Sequence, residues 1–418
     1  MPEVVGHPLD AGLAGLAAAY DDGLDPVAVV DAVLDRIGAS GDDAVWIDVE
    51  PAAVLRTEAE RIAALARDGR PLWGVPFAVK DNIDVAGRTT TAGLPGLARR
   101  ATATATAVAR LQSAGAIYVG KTNLDQLATG LVGTRSPYGT PRNPIDPALV
   151  PGGSSSGSAV AVALGHVPLA LGTDTAGSGR VPAAMCGVVG LKGAPGTRPV
   201  DGLVPASPTI DCVSTFAGTV ADGLVAEGVL AGSPWPVASG KALTIAVAPG
   251  AGAEGCRPGA GGAPGGPRRP GALPRGGRPA LRRSVAGRSD RGAERGPGRR
   301  AQRDGGRGRR RGGRRRAYAG TDVFRAIARL AARRAELARW WGEVDALVVP
   351  TVHVPADARR GGGRSDRGER PPGPQHHLRQ PARPHRDRRA RARQGTRAGP
   401  PCWRHRTWRA PWPPRPPP

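Results

Sequence analysis

Two glycine-rich loops separated by a short apolar segment place several serines where a hydroxyl could act as a nucleophile. The block from Val150 to Ala184 reads VPGGSSSGSAVAVALGHVPLALGTDTAGSGRVPAA. Gly152 and Gly153 permit a sharp turn, and Ser154, Ser155 and Ser156 follow at the start of an expected helix, near the N–H donors that a first helical turn leaves unpaired. The second loop, Gly172 to Arg180, follows an apolar run and presents Ser178 on a tight turn beside several backbone N–H groups, a setting that suits an oxyanion hole. Such a hydroxyl needs a base. Before residue 250 the histidines are His7, in the N-terminal segment, and His166, in a Gly-His-Val-Pro connector, and neither suits the task. Lys80 is the better candidate, because it ends the apolar run Val75-Pro76-Phe77-Ala78-Val79 and precedes Asp81-Asn82. Partial desolvation there lowers the pKa of an ammonium and yields a neutral amine that can accept a proton.

The elements that must position these groups are legible up to about residue 250. Residues 9 to 70 read as helical, with Val27, Val30, Leu34 and Ile37 on one face and Leu55, Ile62 and Leu65 on another. Asp25 before Pro26 supplies an N-cap followed by proline at the first helical position. Val75 to Val79, Ala116 to Gly120 and Leu169 to Gly172 read as buried strands, with helices at Ala103 to Ala114 and Ser156 to Leu164 and a further strand at Leu243 to Val247. Strands alternating with helices predict an α/β class with a mixed sheet core flanked by helices.

The charge is unevenly spread. The 418 residues carry a net +24, yet residues 1–250 hold 17 Lys plus Arg against 23 Asp plus Glu. The excess therefore lies beyond residue 250, and since all four lysines (Lys80, Lys121, Lys192, Lys241) precede that point, it is entirely arginine. Residues 251–316 and 355–418 are Arg-, Gly- and Pro-rich, with too few large apolar side chains to offset chain entropy by burial. Between them, Thr321 to Trp341 reads as a helix with Val323, Phe324, Ile327, Leu330 and Leu337 on its apolar face, followed by a strand at Ala346 to Val349. The expected organisation is thus a catalytic part over 1–250, a helix and strand over 317–354, and two tracts that are either disordered or out of frame. The cysteines (Cys186, Cys212, Cys256, Cys402) show neither CxxC pairing nor metal-ligand spacing, so a reducing cytoplasm is expected, and no metal. No segment reads as a membrane span or a signal peptide.

These residues resemble the amidase signature enzymes, whose pattern is a strand ending in V-K-D, a GGSSSG loop and a GTDxxGS loop. Here Ser154 precedes Ser178 by 24 positions, the spacing of that family. The resemblance runs from Leu72 to Val220 and resumes from Tyr318 to Thr351. It implies Ser178 as nucleophile, Ser154 after a cis peptide as proton relay, Lys80 as base, and the N–H groups of Thr175, Ala176, Gly177 and Ser178 as oxyanion hole. Asp174 and Arg180 would brace that loop. No cofactor is required. Within the family, KTNLDQLATGLVGTRSPYGTPRN (Lys121 to Asn143) and GTDTAGSGRVPAA (Gly172 to Ala184) are most similar to the allophanate hydrolase subgroup, which acts on urea-1-carboxylate. The subgroup's decarboxylating domain is not read in this sequence. An anionic substrate needs a carboxylate clamp, for which Tyr318, Arg325, Arg329 and Arg135 are candidates. The resemblance implies a small-molecule amide as partner; the short apolar runs predict no membrane, nucleic acid is not expected despite the high pI, and a homodimer is left open. The alternatives are an amidase for another small amide, a disrupted product without function, or a basic nucleic-acid-binding protein.

Low-complexity arginine, proline and glycine without lysine is what GC-rich coding sequence yields when read out of frame. Gln375 to Arg391 (QHHLRQPARPHRDRRAR) can be encoded by codons whose shifted frame reads NTTYVNLLDLTAIAVP, a strand-and-loop string. Sequencing the gene separates the two readings of the tracts. The expected result is that single-base changes restore apolar periodicity across 251–316 and 355–418; if none does, the tracts are genuine.

Overall fold

The computed structural model describes residues 8–233, 243–248 and 319–352, which fall into two compact units. Of the described residues, the larger contains 8–233 and 349–352, and the smaller contains 243–248 and 319–348. The tracts 251–316 and 355–418 lie outside the described residues.

In the larger unit, helices α1 (Gly12–Asp21), α2 (Pro26–Ala39) and α3 (Ala52–Ala63) come first. The Asp25 carboxylate accepts the Val27 N–H at 2.8 Å and Pro26 occupies the first turn, so α2 begins where the capping signal put it. Its burial is centred on Val29, Val30 and Val33 rather than on the face expected from Val27, Val30, Leu34 and Ile37. The reason is that α2 lies between two apolar clusters. Val29 and Val33 join the main core, while Val30 packs with Leu55, Ala59 and Ile62 of α3 and with Ile117. The stretch read as helical from 9 to 70 is also interrupted by a strand, β1 (Trp46–Val49). Four residues are too few to show periodicity, but Trp46, Ile47 and Val49 are strand formers.

The remaining strands are β2 (Pro76–Lys80), the short pair β3 (Thr89–Thr90) and β4 (Arg99–Arg100), β5 (Ile117–Thr122), β6 (Leu169–Thr173), β7 (Val189–Lys192) and β8 (Val213–Ala217). Helices α4 (Thr106–Ser113), α5 (Ser156–Ala163), α6 (Arg180–Cys186) and α7 (Val220–Ala231) connect or follow them. Six strands form one mixed sheet in the order β1-β5-β2-β6-β8-β7. The central three, β5, β2 and β6, are parallel, and the pairings outside them are antiparallel. The central strands are buried at every position, as parallel strands covered on both faces must be. The main core gathers Phe77, Val79, Val108, Leu111, Val119, Val160, Leu169, Leu171 and Phe216 around them. The expected mixed α/β architecture is present, with the three foreseen strands shifted by a residue or two at their ends.

In the smaller unit, β9 (Ile245–Val247) pairs in parallel with β10 (Ala346–Val348), and α8 (Gly320–Trp340) stands where a helix was expected. The Asp322 carboxylate accepts the Ala319 N–H at 3.1 Å and fixes the first turn of α8. Val323, Phe324, Ile327, Leu330 and Leu337 form the apolar stripe and are exposed, Phe324 to 75%. No helix among the described residues is long and apolar enough to cross a membrane.

Candidate active site

Lys80 is the last residue of β2, at the centre of the sheet, with 0% of its surface exposed. Its Nζ donates to Ser154 Oγ and to Thr173 Oγ1, both at 2.8 Å. Burial pulls its pKa down to about 7, against the raising influence of the more distant Asp125, Asp174 and Asp211 carboxylates. The sequence suggested partial desolvation; the removal from water is complete. Thr173, at the end of the adjacent strand β6, was not foreseen. The signal for it lies in topology: β2 and β6 are parallel neighbours with Val79 opposite Leu171, so their C-terminal ends meet. Asn82 Nδ2 donates to the same Thr173 Oγ1 at 3.2 Å and holds that hydroxyl in place.

Ser154 follows a cis peptide bond, as the resemblance implied. Gly152 has φ +77°, and a Cβ at Gly153 would overlap the Asp125 carboxylate and the Gly133 backbone, so the Gly-Gly pair is a steric requirement. Asp125 is the organiser of this loop, another residue that sequence reading passed over. Its carboxylate accepts the N–H groups of Val132 (3.2 Å), Gly133 (3.0 Å) and Arg135 (2.9 Å), while its own N–H donates to the Ser154 carbonyl at 3.0 Å. Two neighbouring serines bond to β6, while the buried Ser156 hydroxyl has no hydrogen-bond partner among the described residues. Ser155 Oγ donates to Thr173 O at 3.1 Å and Ser158 Oγ to Leu171 O at 3.0 Å, which fastens α5 to β6.

Ser178 sits on the loop between β6 and α6 and is 3% exposed. Asp174 shapes that loop. Its carboxylate accepts the N–H groups of Gly177 (2.8 Å), Gly179 (3.1 Å) and Arg180 (3.1 Å) and a two-pronged contact from the Arg180 guanidinium at 2.9 Å on each oxygen. Burial alone would raise the pKa of Asp174, but the hydrogen bonds and charge of Arg180, with Lys192, outweigh it and hold the carboxyl well below the usual range. Asp174 and Arg180 therefore brace the loop, as the resemblance implied. One expected donor must be corrected. The Gly177 N–H is committed to Asp174, which removes it from the set of oxyanion donors. The N–H groups of Thr175, Ala176 and Ser178 meet no acceptor among the described residues.

The structure joins Lys80 to Ser154 and holds the two serine loops together through Ser155 N–H donating to Ser178 O at 3.2 Å. It makes no hydrogen bond between the Ser154 and Ser178 hydroxyls. Arg135 is exposed, and its guanidinium has no ion pair or hydrogen bond among the described residues. Arg325 and Arg329 belong to the smaller unit, both exposed, with Arg325 3.6 Å from Asp322. Tyr318 and His7 lie outside the described residues. His166 is a core residue: its Nδ1 accepts the Trp46 indole N–H at 3.2 Å, and burial pushes its pKa down to about 4. A second buried lysine, Lys121, lies 3.5 Å from Asp81 and donates to the Ile83 carbonyl.

Residues 28–237, half of the chain, match the family described as Amidase, and the chain belongs to that family. It is 52% identical over 182 residues to a urea amidolyase of Lachancea kluyveri, covering 43% of this chain and 10% of that one. To a mandelamide hydrolase of Pseudomonas putida it is 40% identical over 228 residues, covering 52% and 45%. Among solved structures, allophanate hydrolase of Kluyveromyces lactis superposes with a TM-score of 0.51 at 38% identity, over 56% of this chain and 41% of that one. The chain thus spans less than half the length of these relatives.

The buried amine has a consequence for stability. With its folded pKa near 7 and an unfolded value near 10.5, Lys80 binds a proton in the unfolded chain but not in the folded one between those limits. Its contribution therefore makes stability rise with pH from about 7 to 10, with a slope of up to about 1.4 kcal/mol per pH unit. Denaturant unfolding of the parent chain and of Lys80→Met across that range should show the parent slope exceeding the variant's. Parallel slopes would mean that Lys80 stays protonated in the folded protein.

Proposed function

We propose that the chain hydrolyses the C–N bond of a small linear amide by acyl transfer through Ser178, Ser154 and Lys80, with urea-1-carboxylate as the substrate and the catalytic part within residues 1–250. The observation that carries the reading is the wholly buried Lys80 amine, pulled to about 7 and 2.8 Å from Ser154 Oγ. Neutral Lys80 accepts the Ser154 proton while Ser154 takes that of Ser178, and Ser178 Oγ attacks the amide carbonyl. The N–H groups of Thr175, Ala176 and Ser178 receive the developing oxyanion. Collapse breaks the C–N bond, the relay returns its proton to the departing ammonia, and water then releases the acyl group. The Ser154 to Ser178 link closes when substrate occupies the site, since catalytic hydrogen bonds in empty sites are commonly long.

The substrate assignment rests on the likeness to urea amidolyase and allophanate hydrolase. Arg135 is the carboxylate clamp, because its backbone is fixed to Asp125 beside Ser154 and its guanidinium is uncommitted among the described residues. The likeness to a mandelamide hydrolase favours a second reading, another small amide at the same site. Cys186 and Cys212 are free thiols, which fits a cytoplasmic setting.

The test is ammonia release from urea-1-carboxylate by the full chain. Ser178→Ala should lower kcat by at least about a thousandfold. In the parent, kcat/KM should climb about tenfold per pH unit below 7 and level off above it, as the neutral amine becomes populated. Unchanged turnover in Ser178→Ala contradicts the nucleophile assignment. Release from mandelamide but not from urea-1-carboxylate moves the protein to the second reading.

A further inference from the structure

Lys192 ends β7, an edge strand of the sheet, and its ammonium reaches across to the loop that carries Ser178. Its Nζ donates to the Asp174 carbonyl at 2.5 Å and to the Thr175 carbonyl at 3.3 Å, and lies 3.4 Å from Asp174 Oδ1. Those two carbonyls are not incidental acceptors. The Asp174 C=O and the Thr175 N–H belong to one peptide plane, and the Thr175 C=O and the Ala176 N–H to the next. In a trans peptide the C=O and N–H point in opposite directions. A cation that draws two successive carbonyls toward itself therefore turns two successive N–H groups away from itself, and these are two of the three N–H groups left without an acceptor. The loop has two further ties: the Thr175 hydroxyl donates to Asp211, and the Gly177 N–H donates to the same Asp174 Oδ1 that Lys192 approaches.

We propose that Lys192 is a positioning residue for the oxyanion hole: by gripping the carbonyls of Asp174 and Thr175 it aims the N–H groups of Thr175 and Ala176 at the substrate carbonyl. The inference rests on Ser178 being the nucleophile. It assigns to an edge-strand lysine a role that no feature of the glycine-rich loop announces. The ammonium also withdraws electron density from both peptide groups, which makes their N–H groups stronger donors.

The experiment is covalent labelling of the full chain by a fluorophosphonate probe, whose phosphoryl oxygen takes charge as a serine attacks. Labelling rates are measured at a series of probe concentrations, with the labelled residue identified by peptide mass and with thermal melts recorded for every variant. Lys192→Met should lower the saturating labelling rate by at least tenfold and leave the half-saturating probe concentration within about twofold, because a misaligned oxyanion hole affects the reacting state rather than binding. Lys192→Arg, which keeps a cationic donor, should recover part of the loss. If Lys192→Met does not melt cooperatively, Lys192→Gln is read by the same criteria. Labelling of a folded Lys192→Met or Lys192→Gln variant at the parent rate overturns the proposal, as does a loss expressed only in the half-saturating concentration. Absence of Ser178 labelling in the parent chain overturns the nucleophile reading and this inference with it, and is told apart because it appears before any variant is made.

Discussion

A fully buried lysine amine with no carboxylate in contact among the described residues is the constraint around which the larger unit is arranged. Among the described residues the Lys80 amine bonds to two hydroxyls, on Ser154 and Thr173, and an ammonium so placed loses its hydration without an opposite charge among them to replace it. The protein meets this cost by lowering the pKa until the neutral amine is accessible near neutrality. Lys121 makes the contrast clear. It is equally buried, but Asp81 lies 3.5 Å away and the Ile83 carbonyl accepts from it, so the pair ties β5 to the residues after β2 and serves the framework. Two buried lysines one strand apart thus face different partners, hydroxyls in one case and a carboxylate and a carbonyl in the other.

Around that amine, carboxylates act as anchors for backbone rather than as reactants. Asp125 collects the N–H groups of the 132–135 loop and fixes the Ser154 turn, while Asp174 collects those of the Ser178 loop. Asp125 and Asp174 are each satisfied by several N–H donors, a condition for keeping a charge out of water. The geometry that results is selective. Asp174 takes the Gly177, Gly179 and Arg180 N–H groups, whereas those of Thr175, Ala176 and Ser178 meet no acceptor among the described residues, and these are the donors that the proposed mechanism assigns to the substrate.

Much of this was legible in the sequence because the chemistry is concentrated in short, ordered motifs. The apolar run ending at Lys80 and the two glycine-rich loops announced both the strands and the residues they carry. What escaped reading was whatever depends on contacts between distant segments. Thr173 joins Lys80 only because β2 and β6 are parallel neighbours, and Asp125 bonds to Ser154 across 29 positions of sequence. The edge strand β1 was hidden by its brevity, and the buried face of α2 was misplaced because the helix serves two clusters at once. The Gly177 donor was miscounted for a related reason: a loop's free N–H groups can be tallied from sequence, but the side chain that claims one of them cannot.

The most direct test of the account is the titration of the Lys80 amine in the folded protein, followed by carbon-13 NMR of the lysine Cε groups. The sequence has only four lysines, and Lys80 is assigned by the resonance missing from Lys80→Met. A resonance titrating near pH 7 is the predicted result. A Lys80 resonance that titrates above about pH 10, as an exposed lysine does, would contradict the claim that burial makes this amine a base.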